Sequence, residues 1–231
     1  MKSAVGPICK NCKSRSQSLF SFCQVAETEQ INSNKSTQVF RKGEYIFVEN
    51  NVPAALYCIN SGMVKLSKSV ANGKEQIIRI AQEGNFLGYR SLILKSRYPY
   101  SAIALEECRI CIIPKADFFA LLRNNNDFYQ ALMELICKEA DEAEAKLSDI
   151  AYKPVRSRIA EALLLLANAS TEEDHAITLT REDLASFVGT VKETAIRVIS
   201  ELRDANIISI DKRKIRILNP QMLTYISNVC D

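Results

Sequence analysis

The spacing of apolar residues changes at Pro114, and this change constrains the fold more than any other feature of the chain. Before Pro114, short apolar runs alternate with turn residues, and five of the seven glycines lie between residues 43 and 88. After Pro114, apolar residues recur every three or four positions, which is the spacing of α-helices. The sequence therefore predicts an α+β protein in which a β-rich part precedes a helical part.

The β-rich part is predicted to be an antiparallel β-roll or barrel over residues 36–123, following a cysteine-containing segment over residues 1–35. Asn72-Gly73 between two alternating runs is a strong hairpin signal. The turn signals are RKGE, NSG, NGK and EGN, and the predicted strands are EYIFV, ALYCI, MVKLSKSV, EQIIRIA, YSAIAL and CRICIIP.

One long helix is predicted from about residue 125 to residue 152, within a dimerisation segment 124–153. One face of this helix is strongly charged, so its apolar stripe must pack on the roll or on a second copy of the helix. We expect both, with the distal part forming a parallel homodimer; the alternative is a helix packed only on its own domain. The stripe comprises Leu132, Ile136, Ala140, Ala143, Leu147 and Ile150.

A second domain over residues 154–231 is predicted to begin at Lys153-Pro154, because proline ends one helix and suits the first turn of the next. A short helix, a glycine turn, a second helix and a basic hairpin form a winged helix-turn-helix. The predicted elements are a helix over 154–169, a short helix from Thr180, a turn at Gly189, a helix from Thr190 to about Ala205 and the hairpin IISIDKRKIRIL. Thr180 with Asp183, and Thr190 with Glu193, fit the helix-capping pattern.

Composition excludes several classes of protein. The chain has 231 residues, of which 47% are hydrophobic, and its longest apolar run, residues 162–169, is well short of the roughly 20 residues of a membrane span. The start MKSAVGPICK lacks the apolar centre of a signal peptide. We expect a cytoplasmic protein without membrane contacts, whose eight cysteines are reduced thiols, metal ligands or small hydrophobes rather than disulfides.

The net charge of +3 is modest, but residues 189–216 carry an excess of three positive charges.

The stretch LTREDLASFVGTVKETAIRVISELRDANIIS, residues 179–209, resembles the DNA-reading motif of the Crp/Fnr family of bacterial transcription regulators. The resemblance covers nearly the whole chain. It implies a jelly roll similar to a cyclic-nucleotide-binding domain, a homodimer on double-stranded DNA, and RNA polymerase as a partner. It also implies an inverted repeat of TGA-like half-sites, read by the helix over residues 190–205.

The resemblance implies roles for individual residues of the second domain. Lys192 lies where one branch of the family has a base-reading arginine, while Glu193 and Arg197 match the residues that read the core of the half-site. Ile196 departs from the small or polar residue usual at its position. The alternative for Glu193 is a capping role beside Thr190. The predicted DNA contacts are Lys192, Glu193, Thr194, Arg197, Arg156, Lys212, Arg213 and Lys214.

The resemblance suggests cyclic AMP as a ligand of the roll, but the residues at two positions that would contact this ligand argue against it. Tyr89 stands where an acid would meet the ribose, and Tyr100 stands where an arginine would meet the cyclic phosphate. Arg90 and Arg97 are candidates for a different anion, or are surface and structural residues. The candidate effector pocket is Gly88, Tyr89, Arg90, Arg97, Tyr100 and Ser101.

Four cysteines, Cys9, Cys12, Cys23 and Cys111, form a candidate metal site. Cys111 lies where the oxygen-sensing branch of the family has its fourth cluster cysteine, and soft thiolates suit an iron-sulfur cluster or zinc. The ten-residue gap before Cys23 is longer than in that branch. Three alternatives stay open: a cluster, a zinc or redox role for Cys9 and Cys12, and ordinary thiols.

Two other function classes fit less well. The sequence has no phosphate-binding loop, no histidine-based triad and no paired metal motif, so an enzyme is not expected. A cyclic-nucleotide-binding regulatory subunit would leave the helix-turn-helix without a purpose. We therefore expect a sequence-specific transcription regulator whose effector acts at the roll or at the amino-terminal cysteines.

Overall fold

The computed structural model describes residues 8–70, 75–170, 175–212 and 214–229. It divides into two compact units, Met1–Ser69 with Ile78–Ala140 and Val70–Ile77 with Asp141–Asp231. The predicted fold class, an antiparallel β-rich part followed by a long helix and a helix-turn-helix, is confirmed. No helix in the described ranges is long and apolar enough to cross a membrane.

Two four-stranded antiparallel sheets form the roll in the described part of the chain. The strands are β1 (Ser36–Phe40), β2 (Tyr45–Phe47), β3 (Ala55–Ser61), β4 (Val64–Ser69), β5 (Glu75–Ala81), β6 (Phe86–Leu87), β7 (Ser101–Ala104) and β8 (Cys108–Pro114). The strand order is β1-β8-β3-β6 in one sheet and β2-β7-β4-β5 in the other. The predicted hairpin turn Asn72-Gly73 lies outside the described residues.

Strands β3 and β8 are buried on both faces, and each face belongs to a different hydrophobic cluster. Tyr57 and Ile59 point into the core between the sheets, together with Ile110 of β8. Cys58 and Cys111 point to the opposite face. The alternation follows from the two-residue repeat of a strand. Burial of both faces explains why ALYCI in β3 and ICIIP in β8, which follows the exposed Arg109, are continuous apolar runs.

An amino-terminal layer covers that second face of the sheet. It consists of three short 3₁₀ helices between Cys9 and Phe22, followed by helix α1 (Val25–Asn34). Phe20 packs its ring edge-on against Phe86 at 4.8 Å between ring centroids. The sequence predicted only a cysteine-containing segment here, so this packed layer is an addition to the prediction.

Three helices follow in the chain: α2 (Tyr89–Leu94), α3 (Lys115–Asn124) and the long α4 (Asn126–Tyr152). The side chain of Asn125 accepts a hydrogen bond from the backbone N–H of Phe128 at 2.8 Å, which starts α4. Helix α4 ends just before Lys153-Pro154, as predicted.

The second unit contains the predicted winged helix-turn-helix. Its elements are α5 (Val155–Ala169), α6 (Arg181–Val188), α7 (Lys192–Asp204), β9 (Ile208–Asp211), β10 (Lys214–Ile217) and α8 (Pro220–Asn228). Helix α8, which packs against α5, was not predicted. Asn219 caps it by accepting the N–H of Met222 at 2.9 Å, and Pro220 occupies its first turn.

Candidate functional site

Helix α7 presents charged side chains at its amino-terminal end while its opposite face is buried. Ala195, Val198, Ile199 and Leu202 are each at most 2% exposed, and they hold α7 on the domain. Lys192, Glu193 and Arg197 are exposed, with two-thirds of the Arg197 side chain open to solvent. Residues four positions apart share one helix face, so Glu193 and Arg197 lie together on the open side.

Glu182 and Glu201 partner the basic side chains around α7. Lys192 lies 3.7 Å from the carboxylate of Glu182, and Arg197 lies 2.7 Å from that of Glu201. Arg156 of α5 lies 3.7 Å from the other oxygen of Glu201. These side chains are well exposed, so the ion pairs contribute little to stability and can exchange for a phosphate or a base at low cost. Neither glutamate was predicted to form an ion pair with these basic residues.

The two predicted helix caps have different outcomes. The hydroxyl of Thr180 accepts the N–H of Asp183 at 3.0 Å, which confirms the cap of α6. The predicted cap at Thr190 is wrong, because α7 begins at Lys192 and its N-cap residue is Val191, which makes no capping bond. Glu193 therefore does not complete a box with Thr190.

Arg158 of α5 fixes the turn between the two helices, and sequence reasoning missed it. Its guanidinium donates hydrogen bonds to the carbonyls of Val188 and Gly189, the latter at 3.2 Å. Gly189 adopts the left-handed conformation, with φ of 72°. A side chain there would be strained, and its Cβ would lie 3.3 Å from the Arg158 guanidinium. Arginines are common on helices, so the sequence carries no signal that singles out Arg158.

The remaining predicted DNA contacts lie around the wing and at the side of α7. Thr194 is partly buried, Arg156 is exposed, and Lys212 is exposed in the β9–β10 turn with φ of 52°. Lys214 begins β10 and is partly buried. Arg213 lies outside the described residues.

In the roll, backbone and side-chain groups of the protein itself contact most of the predicted effector residues. Tyr89 is buried and donates a hydrogen bond to Glu139, which also forms an ion pair with Arg79. Burial and the Glu139 carboxylate raise the pKa of Tyr89, so its hydroxyl stays a donor. Burial also raises the pKa of Tyr100, and the nearby Arg90 opposes this shift.

The other residues of the candidate effector pocket contact groups of the protein itself or are exposed to solvent. The guanidinium of Arg97 donates to the carbonyl of Asn50 at 2.7 Å, and the hydroxyl of Ser101 accepts the N–H of Glu49 at 3.0 Å. Gly88 has φ of 85°, and a Cβ there would lie 3.3 Å from the carbonyl of Ala55. Arg90 is exposed.

Three of the four predicted metal cysteines line one cavity, which has room for about one water molecule, 20 Å³. They are Cys9, Cys12 and Cys111; Cys23 is not among the lining residues, and Cys58 is. Burial raises the pKa of Cys23 to about 12, and the carboxylate of Glu27 adds to the shift. Among the described residues, no group of three or more Cys, His, Asp or Glu side chains is arranged to hold a metal ion as it stands.

The predicted dimer stripe on α4 changes from buried to exposed along its length. Leu132 is fully buried and Ile136 partly buried, both against the core of the first unit. Ala140 and Ala143 are exposed, and Leu147 is 71% exposed. Ile150 is 41% exposed and lies beside Gly189.

Both units contain residues that match known protein families. Residues 37–125 match the cyclic nucleotide-binding domain, and residues 157–226 match the Crp-like helix-turn-helix domain. The chain belongs to the Crp/Fnr family of transcription regulators. It is thus a DNA-binding regulator and not an enzyme.

Similar members of the Crp/Fnr family have different functional names. The nitrogen fixation regulation protein FixK of Bradyrhizobium diazoefficiens is 26% identical over 93% of this chain and 92% of its own length. The cyclic AMP receptor protein of Thermus thermophilus is 25% identical over 82% of this chain and 87% of its own. A Crp/Fnr-family regulator of known structure from the same organism is 27% identical, with a TM-score of 0.71, over 84% of this chain and all of its own.

Proposed function

We propose that this Crp/Fnr regulator binds DNA as a homodimer and reads an inverted repeat of TGA-like half-sites with α7. The observation that carries the proposal is the exposed amino-terminal face of α7, with Lys192, Glu193 and Arg197 on it. Its effector acts at the β-roll or at the amino-terminal cysteines, and RNA polymerase is the protein partner that the family implies.

The chemistry of the three side chains suits the major groove. An α-helix fits into that groove, an arginine can bind guanine O6 and N7 with both arms of its guanidinium, and a carboxylate accepts from cytosine N4. Glu193 and Arg197 lie on one helix face, so together they can read adjacent G·C pairs on opposite strands. Glu193 does not complete a cap with Thr190, and this weakens the alternative that Glu193 serves only as a helix cap.

Arg197 must release Glu201 before it can reach a base. The Arg197–Glu201 ion pair is exposed, so the cost of breaking it is small, about 0–1 kcal/mol. Glu201 also lies near Arg156, and it can stay there when Arg197 turns to the base. Arg156, Thr194 and the wing lysines Lys212 and Lys214 then contact phosphates, which position the protein without reading sequence. Arg213 belongs to the same proposed set.

Half-site spacing follows from the proposed dimer. A two-fold axis relates the two copies of α7, so the half-sites form an inverted repeat with centres about one helical turn, roughly 34 Å, apart. The exposed part of the α4 stripe, from Ala140 to Leu147, supports contact between two copies of this helix.

Binding-site selection from a random duplex library tests the proposal. Arg197→Ala should cost about 1–3 kcal/mol per half-site and relax preference at one base pair. The matched control is Lys212→Asn, because asparagine tolerates positive φ. It should weaken all sequences alike and reduce the slope of the salt dependence by about one per half-site. Equal weakening of all sequences by both variants, with base preference unchanged, would contradict a reading role for Arg197.

A further inference from the structure

An apolar side chain lies on the exposed face of α7, among charged residues. Ile196 is 43% exposed. The structure describes all of α7, and every other exposed residue of this helix is charged. Ile196 does not belong to the buried face that holds α7 on its domain. That face consists of Ala195, Val198, Ile199 and Leu202.

The geometry of the helix places Ile196 next to Glu193. An α-helix has 3.6 residues per turn, so successive side chains are rotated by about 100°. Ile196 follows Glu193 by three residues and lies about 60° to one side of it, whereas Arg197 follows by four residues and lies about 40° to the other side. Across the exposed face, the order is therefore Ile196, Glu193, Arg197.

The side chain of Ile196 has a well-defined direction. In a helix, a β-branched isoleucine has one strongly preferred χ1 rotamer, so little rotamer freedom is lost when its methyl groups meet a surface. The stability of the helix itself does not favour isoleucine at an exposed position, because lysine, glutamate and arginine have higher helix propensities. A contact outside the chain gives this residue a role that local structure does not.

The major groove offers one apolar group to such a side chain. This group is the C5-methyl of thymine, whereas the other base edges in the groove present nitrogen and oxygen atoms that donate or accept hydrogen bonds. Isoleucine can form no hydrogen bond through its side chain. If Ile196 covered the N4 amino group of cytosine or the O6 of guanine, that group would be buried without a partner, which is costly.

We infer that Ile196 determines specificity by contacting the C5-methyl of a thymine in the base pair next to the one that Glu193 contacts. The inference rests on the proposed reading of DNA by α7 and adds an apolar contact to it. Burial of one methyl group contributes about 0.8 kcal/mol, which corresponds to about a fourfold change in affinity per half-site. An inverted repeat presents the contact twice, so the two half-sites together give about sixteenfold.

The first experiment removes the methyl group from the DNA and leaves the protein unchanged. Binding-site selection supplies the preferred duplex, and each thymine is then replaced by uracil, which lacks only the C5-methyl, at the equivalent positions of both half-sites. Replacement at one position should weaken binding by about sixteenfold. If uracil at every thymine position leaves the affinity unchanged, the inference is wrong.

Matched variants assign the methyl contact to Ile196. Ile196→Ser should bind the thymine and uracil duplexes equally, whereas Ile196→Val keeps a branched apolar side chain and should retain most of the preference for thymine. The control is Met222→Ser on α8, where Met222 is 44% exposed, and this variant should discriminate as the unmodified protein does. If Ile196→Ser still prefers thymine to the same extent, another residue contacts the methyl group.

A third duplex tests the contact without any change in the protein. Cytosine paired with guanine at the same position should bind weakly, and 5-methylcytosine should recover about fourfold per half-site because it restores the methyl group. Absence of recovery would show that the position is selected for another reason.

The same data separate this inference from the proposed function. A selected core that Arg197→Ala relaxes, together with no response to uracil, overturns only the contact of Ile196. A protein that selects no sequence overturns both proposals.

Discussion

The hydroxyl of Tyr89 donates a hydrogen bond to the carboxylate of Glu139 on α4. Arg79 forms an ion pair with the same carboxylate. In a cyclic-nucleotide-binding domain, the position of Tyr89 would present an acid to the ribose of the ligand. In this chain the position is buried, and its polar atom already has a partner on α4.

Cyclic AMP and cyclic GMP should therefore bind no tighter than about millimolar, which corresponds to about −4 kcal/mol. The roll lacks an arginine at the position of Tyr100, and a buried cyclic phosphate without a cation is costly. Calorimetric titration measures this directly, with the cyclic AMP receptor protein of Thermus thermophilus as the positive control. A micromolar constant would contradict the prediction, and Arg90→Ala would then show whether Arg90 supplies the phosphate contact.

The helical part of the fold was predictable because its signals are local. Helix α4 was placed within a residue of its observed start, since a long stripe and Lys153-Pro154 define its ends. Gly189 was identified as a turn because a left-handed residue between two helices is usually glycine. Helix α8 was missed, although Asn219 and Pro220 are a normal helix start.

The cysteine cavity could not be predicted, because it depends on strand register. Cys58 and Cys111 are 53 positions apart in the sequence, and only the pairing of β3 with β8 places them opposite each other. A one-residue shift in register would move Cys58 to the other face. Within the apolar run ALYCI, Cys58 looks like an ordinary core residue, whereas Cys23 attracts attention because it follows Cys9 and Cys12.

The exposed half of the α4 stripe leads to a prediction about assembly. Replacing both Ala143 and Leu147 with glutamate should convert the proposed dimer into a monomer, because like charges would face each other across the two-fold axis. Both residues are exposed in the single chain, so the change should leave the fold of each protomer intact. Light scattering at micromolar concentration measures the mass, and Glu142→Gln with Glu144→Gln on the same helix serves as the control. A monomer for the unmodified protein would contradict the prediction.

Arg158 should determine the stability of the helix-turn-helix rather than its sequence preference. Arg158→Met removes the hydrogen bonds to Val188 and Gly189, and leaving these carbonyls without a partner should cost about 1–3 kcal/mol of unfolding free energy. Urea denaturation measures the loss. The matched control is Arg156→Met, two positions away and exposed, which should keep the stability and lower DNA affinity for all sequences. If the two variants are equally stable, Arg158 does not hold the turn.

Lys146 on α4 should make the stability of the second unit depend on pH. Its ammonium lies over the ring of Phe187 at 4.3 Å from the ring centre and donates to the carbonyl of Ile77 at 3.1 Å. Burial lowers the pKa of Lys146 from 10.5 to about 8. The unfolded chain therefore binds more protons than the folded chain between these values, so the contribution of Lys146 to stability rises with pH across this window.

Lys146→Met removes the titrating group. Comparison with the unmodified protein should therefore show whether Lys146 raises or lowers the free energy of unfolding at each pH. At pH 7 the charged lysine carries its burial cost, so the methionine variant should be the more stable protein; the difference should shrink or reverse as the pH rises from about 8 to 10.5. Across this pH range the difference in unfolding free energy should change by at most about 3 kcal/mol. The Phe187 ring makes this change smaller, because the ring favours the charged ammonium. Urea denaturation at several pH values measures the difference, with the exposed Lys138→Met on the same helix as control. A difference between Lys146→Met and the unmodified protein that stays constant with pH would show that Lys146 keeps an ordinary pKa in the folded protein.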